Sequence, residues 1–265
     1  MKKELLYKYR TWTDVFHKRI LTESELFFAS ANQFNDPFDA ALPYKYRKSD
    51  LTPANIYLKL RELGTREWPL LSDSELEQRC YELQMSGDFE SDSYWQKMFP
   101  SFKKLVNEYF GILSLTTHRD NLLMWSHYAD SHKGFCVGLD LEILFRNLIH
   151  QKKFFLDTVK YISSDYLPEI PLFADHVAAV RTLITTKSSQ WSYENEFRII
   201  KIEGSREVIK MPVEAVAEII IGCNMPSKEK DEVYRLAKSN FPTAQIFETA
   251  ISSEKFTLDF RPILK

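Results

Sequence analysis

Glycine is scarce in this 265-residue chain, which has seven, and the signatures that depend on it are missing. No Gly-x-Gly-x-x-Gly stretch, no Walker-type Gly-Lys-Ser/Thr and no Gly-x-Ser-x-Gly elbow occurs, so the common dinucleotide-binding, nucleotide-hydrolase and esterase readings lack their loops. His-Glu-x-x-His, the zinc-protease helix, is absent as well. Cysteine is limited to Cys80, Cys136 and Cys223, an odd number at wide spacing, which predicts free thiols in a reducing compartment rather than a disulfide framework. No run of about 18 apolar residues is present, and Met1-Lys2-Lys3-Glu4 leads into no long apolar stretch. The expectation is a cytoplasmic protein with no signal peptide and no membrane partner. An excess of one charge is also lacking: 35 Lys and Arg stand against 37 Asp and Glu, so there is no bulk attraction to phosphate backbones. A nucleic-acid partner stays open only through a local basic groove.

What is present is a globular balance, with 44% hydrophobic and 27% charged residues, which predicts order nearly throughout. A chain of this length buries a core without staples. Its 19 Phe, 13 Tyr and 5 Trp serve rigid cores and stacking pockets alike, because aromatics bury large areas with few rotatable bonds.

Leu5–Arg10 alternates as a strand, and Thr11 or Thr13 can cap a helix carrying Val15, Phe16, Ile20 and Leu21. Glu25–Ala29 reads as a second strand, and Asn35-Asp36-Pro37 as a loop. From Pro53 to Phe110 the pattern is helical, broken at Gly64, Gly87 and Pro100. Strands follow at Gly111–Thr116 and Phe135–Leu139, around a short helix capped by Asp120 or Asn121 and ending before Gly134. Helices fit Leu141–Gln151, Phe173–Thr186 and Ser227–Ser239, and strands fit Phe155–Tyr161, Tyr193–Ile202, Glu207–Met211, Ala217–Ile221, Gln245–Glu248 and Phe256–Phe260. The reading is α+β: one domain over 1–265, with a mixed, largely antiparallel sheet core and a helical insertion over 53–110.

Three polar-aromatic segments concentrate the chemistry. Tyr193-Glu194-Asn195-Glu196-Phe197-Arg198 as a strand places Glu194, Glu196 and Arg198 on one face. That face is either a solvated set of weak surface pairs or two carboxylates in a cleft, one orienting a sugar hydroxyl and the other acting on a nucleophile. Trp125, His127 and Tyr128 crowd a short helix, with Trp125 and Tyr128 sharing a face. Core packing explains them, and a ligand role for His127 at a phosphate or hydroxyl is the alternative. Phe34–Asp39 reads as a self-bonded turn pinned by Phe34 and Phe38. Asp36 and Asp39 are metal-ligand types, but no neighbouring histidine or acidic run completes a site, so no metal is expected. The pattern His127-x4-His132-x3-Cys136 has no second pair to make a zinc site.

These pieces resemble the bacterial family known as domain of unknown function 2971, through Leu6–Arg10, Phe34–Asp39, Leu113–Thr116, Met124–Ala129 with Gly134-Phe135, and Trp191–Arg198. A looser resemblance is to toxin-type ADP-ribosyltransferases, which carry in order an Arg on an early strand, a Ser-x-Ser-like strand and a Glu-x-Glu motif. Here these are Arg10, Ser114-Leu115-Thr116 and Glu194-Asn195-Glu196, with Thr116 in place of the second serine. That resemblance implies an NAD-using ADP-ribosyltransferase or NAD glycohydrolase, a toxin or anti-phage effector acting on an unidentified macromolecule. Glu196, Glu194 and His127 would be catalytic, with Glu196 stabilising the oxocarbenium-like ribose. Arg10 would hold the pyrophosphate, Ser114 and Thr116 would shape the nicotinamide pocket, Tyr9 or Trp125 would stack on the ring, and Tyr128 and Arg198 would complete the contacts. A non-catalytic module stacking Trp125, Tyr128 and Trp191 on a nucleobase, or a metal-dependent nuclease, are the rival readings.

Overall fold

The structure is a computed structural model that describes residues 4–40, 42–148 and 153–263. The protein is α+β, and its chain packs as two compact units: Met1–Ser30, Tyr109–Val159 and Gln190–Lys265 form the first, Ala31–Glu108 and Lys160–Ser189 the second. Where the sequence predicts one domain with a helical insertion, the segment 160–189 returns to that insertion.

Among the described residues the first unit is built on an eight-stranded sheet in the order β14-β13-β12-β5-β1-β4-β10-β6. The strands are β1 (Leu5–Arg10), β4 (Phe110–Thr116), β5 (Phe135–Asp140), β6 (Phe154–Thr158), β10 (Glu196–Ile202), β12 (Val216–Ile221), β13 (Gln245–Ile251) and β14 (Leu258–Pro262). All neighbours are antiparallel except β12 and β13, which run parallel because helix α8 (Ser227–Asn240) makes the crossover between them. A two-stranded pair of β2 (Glu25–Phe28) and β11 (Glu207–Lys210) stands beside this sheet.

Side-chain alternation gives the sheet two cores. Leu6, Leu113, Leu115, Phe135, Val137, Leu139 and Ile199 pack in one cluster with Ile20 and Leu21 of α1 (Val15–Thr22), Leu144 of α6 (Leu141–Leu148) and Val233 of α8. Full burial of a side chain of this size contributes about 1.5–3 kcal/mol. Tyr7, Tyr9, Cys136 and Ile220 pack in the other with Met124, Trp125 and Ala129 of the α5 region, α5 being Leu122–Tyr128. The N-cap of α1 is Asp14 rather than a threonine: its Oδ1 accepts from the N–H groups of Phe16 (2.7 Å) and His17 (3.4 Å). Val15 and Phe16 sit in the first turn and stay 67% and 75% exposed, so the core side of α1 begins only at Ile20.

In the second unit, α2 (Pro53–Glu67) and α3 (Asp73–Ser86) pack around Ile56, Leu60, Leu76, Cys80 and Leu172, followed by α4 (Asp92–Tyr109) and later α7 (His176–Ile184). Two parallel pairs tie the returning segment in: β3 (Lys45–Tyr46) with β8 (Glu169–Ile170), and β7 (Lys160–Ile162) with β9 (Thr186–Ser188). The predicted strand over Phe155–Tyr161 is therefore two, β6 in one unit and β7 in the other. The helix predicted to Thr186 ends at Ile184, because Thr186 enters β9. Gly87 ends α3 in the left-handed region (φ 69°), as predicted. Gly64 does not break its helix: it lies inside α2 where a Cβ would come within 2.7 Å of Leu76 Cδ1, so it serves close packing on α3. Pro100 likewise lies inside α4. Of the helix predicted over Leu141–Gln151, residues 149–151 lie outside the described ones.

Candidate carboxylate site between α5 and β10

Asn121 organises the site from its edge. It caps α5, with Oδ1 accepting from the N–H groups of Leu123 (2.9 Å) and Met124 (3.2 Å), and its Nδ2 donates to the carbonyl of Tyr193 (2.8 Å). One side chain thus starts the helix and ties it to the segment before β10. The helix turns Met124 and Trp125 inward. Trp125 is fully buried, meets Tyr9 edge-on at 5.1 Å, stacks with His132 at 6.1 Å and donates Nε1–H to the carbonyl of Arg119. Tyr9 is buried too and donates its hydroxyl to the carbonyl of His118 at 2.8 Å. Both rings assigned to stack on nicotinamide are core residues, because the period of α5 and the alternation of β1 aim them at the same apolar cluster.

Behind α5 the chain holds Asp130, Ser131 and His132 at φ 46°, 52° and 68°. Left-handed backbone costs about 1–2 kcal/mol per residue. Hydrogen bonds from the N–H groups of Ser131 to the carbonyl of Ser126 and of Gly134 to that of Ala129 offset part of this. Gly134 is required there: a Cβ would fall 2.1 Å from the carbonyl oxygen of Arg10.

Two further side chains of the helix, His127 and Tyr128, face the chemistry. His127 is exposed, and its Nδ1 lies 2.9 Å from the hydroxyl of Tyr193. Tyr128 donates its hydroxyl to Glu194 Oε1 at 2.5 Å, a charge-assisted bond. Glu194 is only 3% exposed, so this is no solvated face. Nor is it on the strand: Ser189–Glu194 form a 3-10 helix, Asn195 reverses the backbone at φ 40°, and β10 begins at Glu196. The Nδ2 of Asn195 donates to Thr117 Oγ1 at 2.5 Å, which fixes the reversal against the end of β4. Glu194 therefore reaches the site by a left-handed turn rather than by strand alternation with Glu196.

Glu196 and Arg198 do share a strand face. Arg198 is fully buried and grips Glu196 with both prongs, Nε to Oε1 at 2.8 Å and Nη2 to Oε2 at 2.9 Å. In register, Glu196 stands opposite Thr116, and Arg198 stands between Ser114 on β4 and Asp157 on β6. The strands that carry Arg10, Ser114–Thr116 and Glu196 are thus neighbours in the sheet. Asp157 joins this row without any local signal, because strand pairing alone brings it there.

Arg10 does not join it. β1 and β4 pair where Tyr7 faces Thr116, so Tyr7, Thr116 and Glu196 share one face, and three residues of unbroken β1 later Arg10 points to the other. There it lies near Asp14 and His17 of the α1 region. Lys8, unremarked in sequence, sits where β1 and β4 part: its Nζ donates to the carbonyl of Ser114 at 2.6 Å. Burial first, then repulsion by Arg10, hold its pKa well below the usual lysine range, while Glu196 and Glu194 offset this in part.

In the second unit, Asp36 Oδ1 accepts from the N–H of Phe38 (2.9 Å) and its carbonyl from that of Asp39 (3.1 Å), the self-bonded turn expected. Phe38 does not pin it, being 60% exposed. Asp39 is buried in an ion pair with Lys187 at 3.0 Å. Among the described residues no group of three or more His, Cys, Asp or Glu is placed to hold a metal ion, and no helix is long and apolar enough to cross a membrane.

No curated protein and no solved structure matches the chain. Residues 124–199, which carry Tyr128, Glu194, His127, Tyr193, Glu196 and Arg198, match the model of the family described as Protein of unknown function (DUF2971), the family that the polar-aromatic segments resemble.

Proposed function

We propose that the first unit carries a glycosyl-transfer site for NAD, as an ADP-ribosyltransferase or NAD glycohydrolase. The supporting observation is that Glu196 and Arg198 face Thr116 and Ser114 across β10 and β4, with Glu194 held beside them by Tyr128. In that reaction the bond from ribose C1′ to nicotinamide breaks, the electron pair leaves with neutral nicotinamide, and positive charge develops on the sugar. A fixed carboxylate is the group that opposes such charge. Glu196 takes that role, its orientation set by the Arg198 fork. Glu194 orients a ribose hydroxyl or accepts the proton of the attacking nucleophile, and His127 with Tyr193 lies at the exposed edge where an acceptor enters. Such a protein consumes NAD or marks a macromolecule, which fits a toxin or an anti-phage effector. Arg10 is not in this set.

The rival is a non-catalytic nucleotide-binding module. One observation favours it: both Glu196 oxygens are engaged by Arg198, as in a structural pair. The two separate on one assay. Purified protein is incubated with NAD, with and without macromolecular acceptors, and nicotinamide release is followed by chromatography. Glycosyl transfer predicts release that Glu196→Gln lowers by about 100-fold or more and that Tyr128→Phe also slows, with both variants folded. NAD binding without release, unchanged in Glu196→Gln, establishes the module and removes the enzyme.

A further inference from the structure

A cavity of about 490 Å³ opens in the first unit, and none of Glu194, Glu196, His127 or Tyr128 lines it. Leu122 at the start of α5, His132 behind that helix, Cys223 and Asn224 after β12, and the turn Ile251–Leu258 between β13 and β14 form its walls. Its size falls among small-molecule sites, which run from roughly 300 to 1,000 Å³. One wall is fixed by backbone bonds. The N–H of Gly222 donates to the carbonyl of Gly134 (2.9 Å), that of Asn224 to the carbonyl of His132 (3.0 Å), and Asn224 Nδ2 to the carbonyl of Ser131 (3.2 Å). Gly222 permits this contact, because a Cβ there would fall 2.2 Å from the carbonyl oxygen of His132. In the hairpin wall, the N–H of Ser252 donates to the carbonyl of Thr257 at 3.1 Å. Leu122, Ile251 and Phe256 are exposed apolar side chains around the same hollow, the kind of surface that an apolar ligand covers. Glu254 and Lys255 add one charge of each sign, so the walls favour neither ionic class.

His132 supplies the polar group. Its Nδ1 is buried with no hydrogen-bond partner among the described residues, whereas Nε2 makes no hydrogen bond and is not buried. A buried N–H without an acceptor is rarer than a buried lone pair without a donor, so the lone pair stays on Nδ1 and the proton on Nε2. A second proton would have to enter at Nδ1, and burial holds the pKa of His132 below the usual imidazole range. The ring is thus a neutral N–H donor, set in place by its stack on Trp125 and by the backbone at φ 68°. We infer that this cavity binds a small molecule with an apolar, planar body and a carbonyl or carboxylate oxygen that accepts the Nε2–H of His132. A head group that only donates would leave two donors facing each other. This inference is independent of the proposed glycosyl transfer, whose carboxylates lie outside the cavity.

The naphthyl ketone prodan, whose emission shifts to the blue in apolar surroundings, is the probe. Saturable, blue-shifted binding to the parent is expected. Acetylnaphthalene and naphthoate should displace it, and naphthylmethylammonium, with the same body and a donor-only head, should not. Tighter binding of the ketone marks the ligand as a neutral carbonyl compound, and tighter binding of naphthoate as an acid; either ranking supports the site. His132→Phe keeps a ring on Trp125 and loses the donor, so affinity should fall about fivefold or more. His132→Asn, whose side chain suits the left-handed backbone, should do the same. Ser253→Trp at the exposed turn should block entry, while Phe16→Ser, an exposed apolar residue of α1, should change nothing. Acetylnaphthalene should also slow alkylation of Cys223 by iodoacetamide in the parent. No saturable binding of prodan overturns the site, as does equal displacement by all three heads. Affinity unchanged in the His132 variants, equal loss in Phe16→Ser, or alkylation of Cys223 that acetylnaphthalene leaves unslowed overturns it too.

Discussion

Replacing Glu196 by Ala removes the carboxylate that meets a guanidinium 0% exposed through bonds of 2.8 and 2.9 Å. Breaking a buried pair from one side costs about 3–5 kcal/mol, because the remaining charge stays in a low-dielectric interior. At roughly 2–4 °C per kcal/mol for 150–250 residues, Tm should fall by about 6–20 °C. Arg198→Met removes the guanidinium from the buried carboxylate and should cost a similar amount. The combined Glu196→Leu, Arg198→Met protein leaves neither charge behind, so its loss should be smaller than that of either single variant. Urea unfolding followed by tryptophan fluorescence measures all of these against the parent, and the double-variant cycle isolates the coupling. Single losses below about 1 kcal/mol would place the pair with weak surface ion pairs. A double loss equal to the sum of the singles would refute direct coupling and, with it, the fixed carboxylate on which the catalytic reading depends.

Two other outcomes follow from burial. His17, with its pKa pushed down to about 4 in the folded protein against about 6.5 for an unperturbed imidazole, binds fewer protons folded than unfolded in that window. Its contribution to stability is therefore present above pH 6.5 and is lost as pH falls toward 4. The slope of unfolding free energy with pH between those limits should flatten in His17→Gln, and an unchanged slope would contradict the burial of this ring. Among the thiols, Cys136 is fully buried with its pKa raised by desolvation, and Cys80 is buried likewise, whereas Cys223 is partly exposed. Native protein treated with iodoacetamide should label first at Cys223 by mass spectrometry, and prior labelling of Cys136 would mean that β5 opens readily.

Local pattern carried much of this molecule. The alternation of Leu5–Arg10 and Phe135–Leu139, the cap at Asn121 and the helical run of 53–110 are short-range consequences of side-chain period and capping chemistry, and they appear where the residues imply them. The polar-aromatic stretches also marked the segment in which the Tyr128–Glu194 and Arg198–Glu196 bonds form. What local pattern could not supply was the side of the sheet on which a residue falls relative to a distant strand. Register decides that, and register is set by pairing between residues far apart in the chain. It placed Arg10 away from Glu196, drew Asp157 and Lys8 beside Ser114 and Arg198, and returned 160–189 to the helical unit. Asn195 shows the same limit at short range. A single left-handed residue, fixed by Thr117 just past the end of β4, takes Glu194 off the strand that its sequence suggests and still delivers its carboxylate to Tyr128. Sequence determined the elements and the chemical types available to them, and only long-range pairing decided which of those groups confront one another.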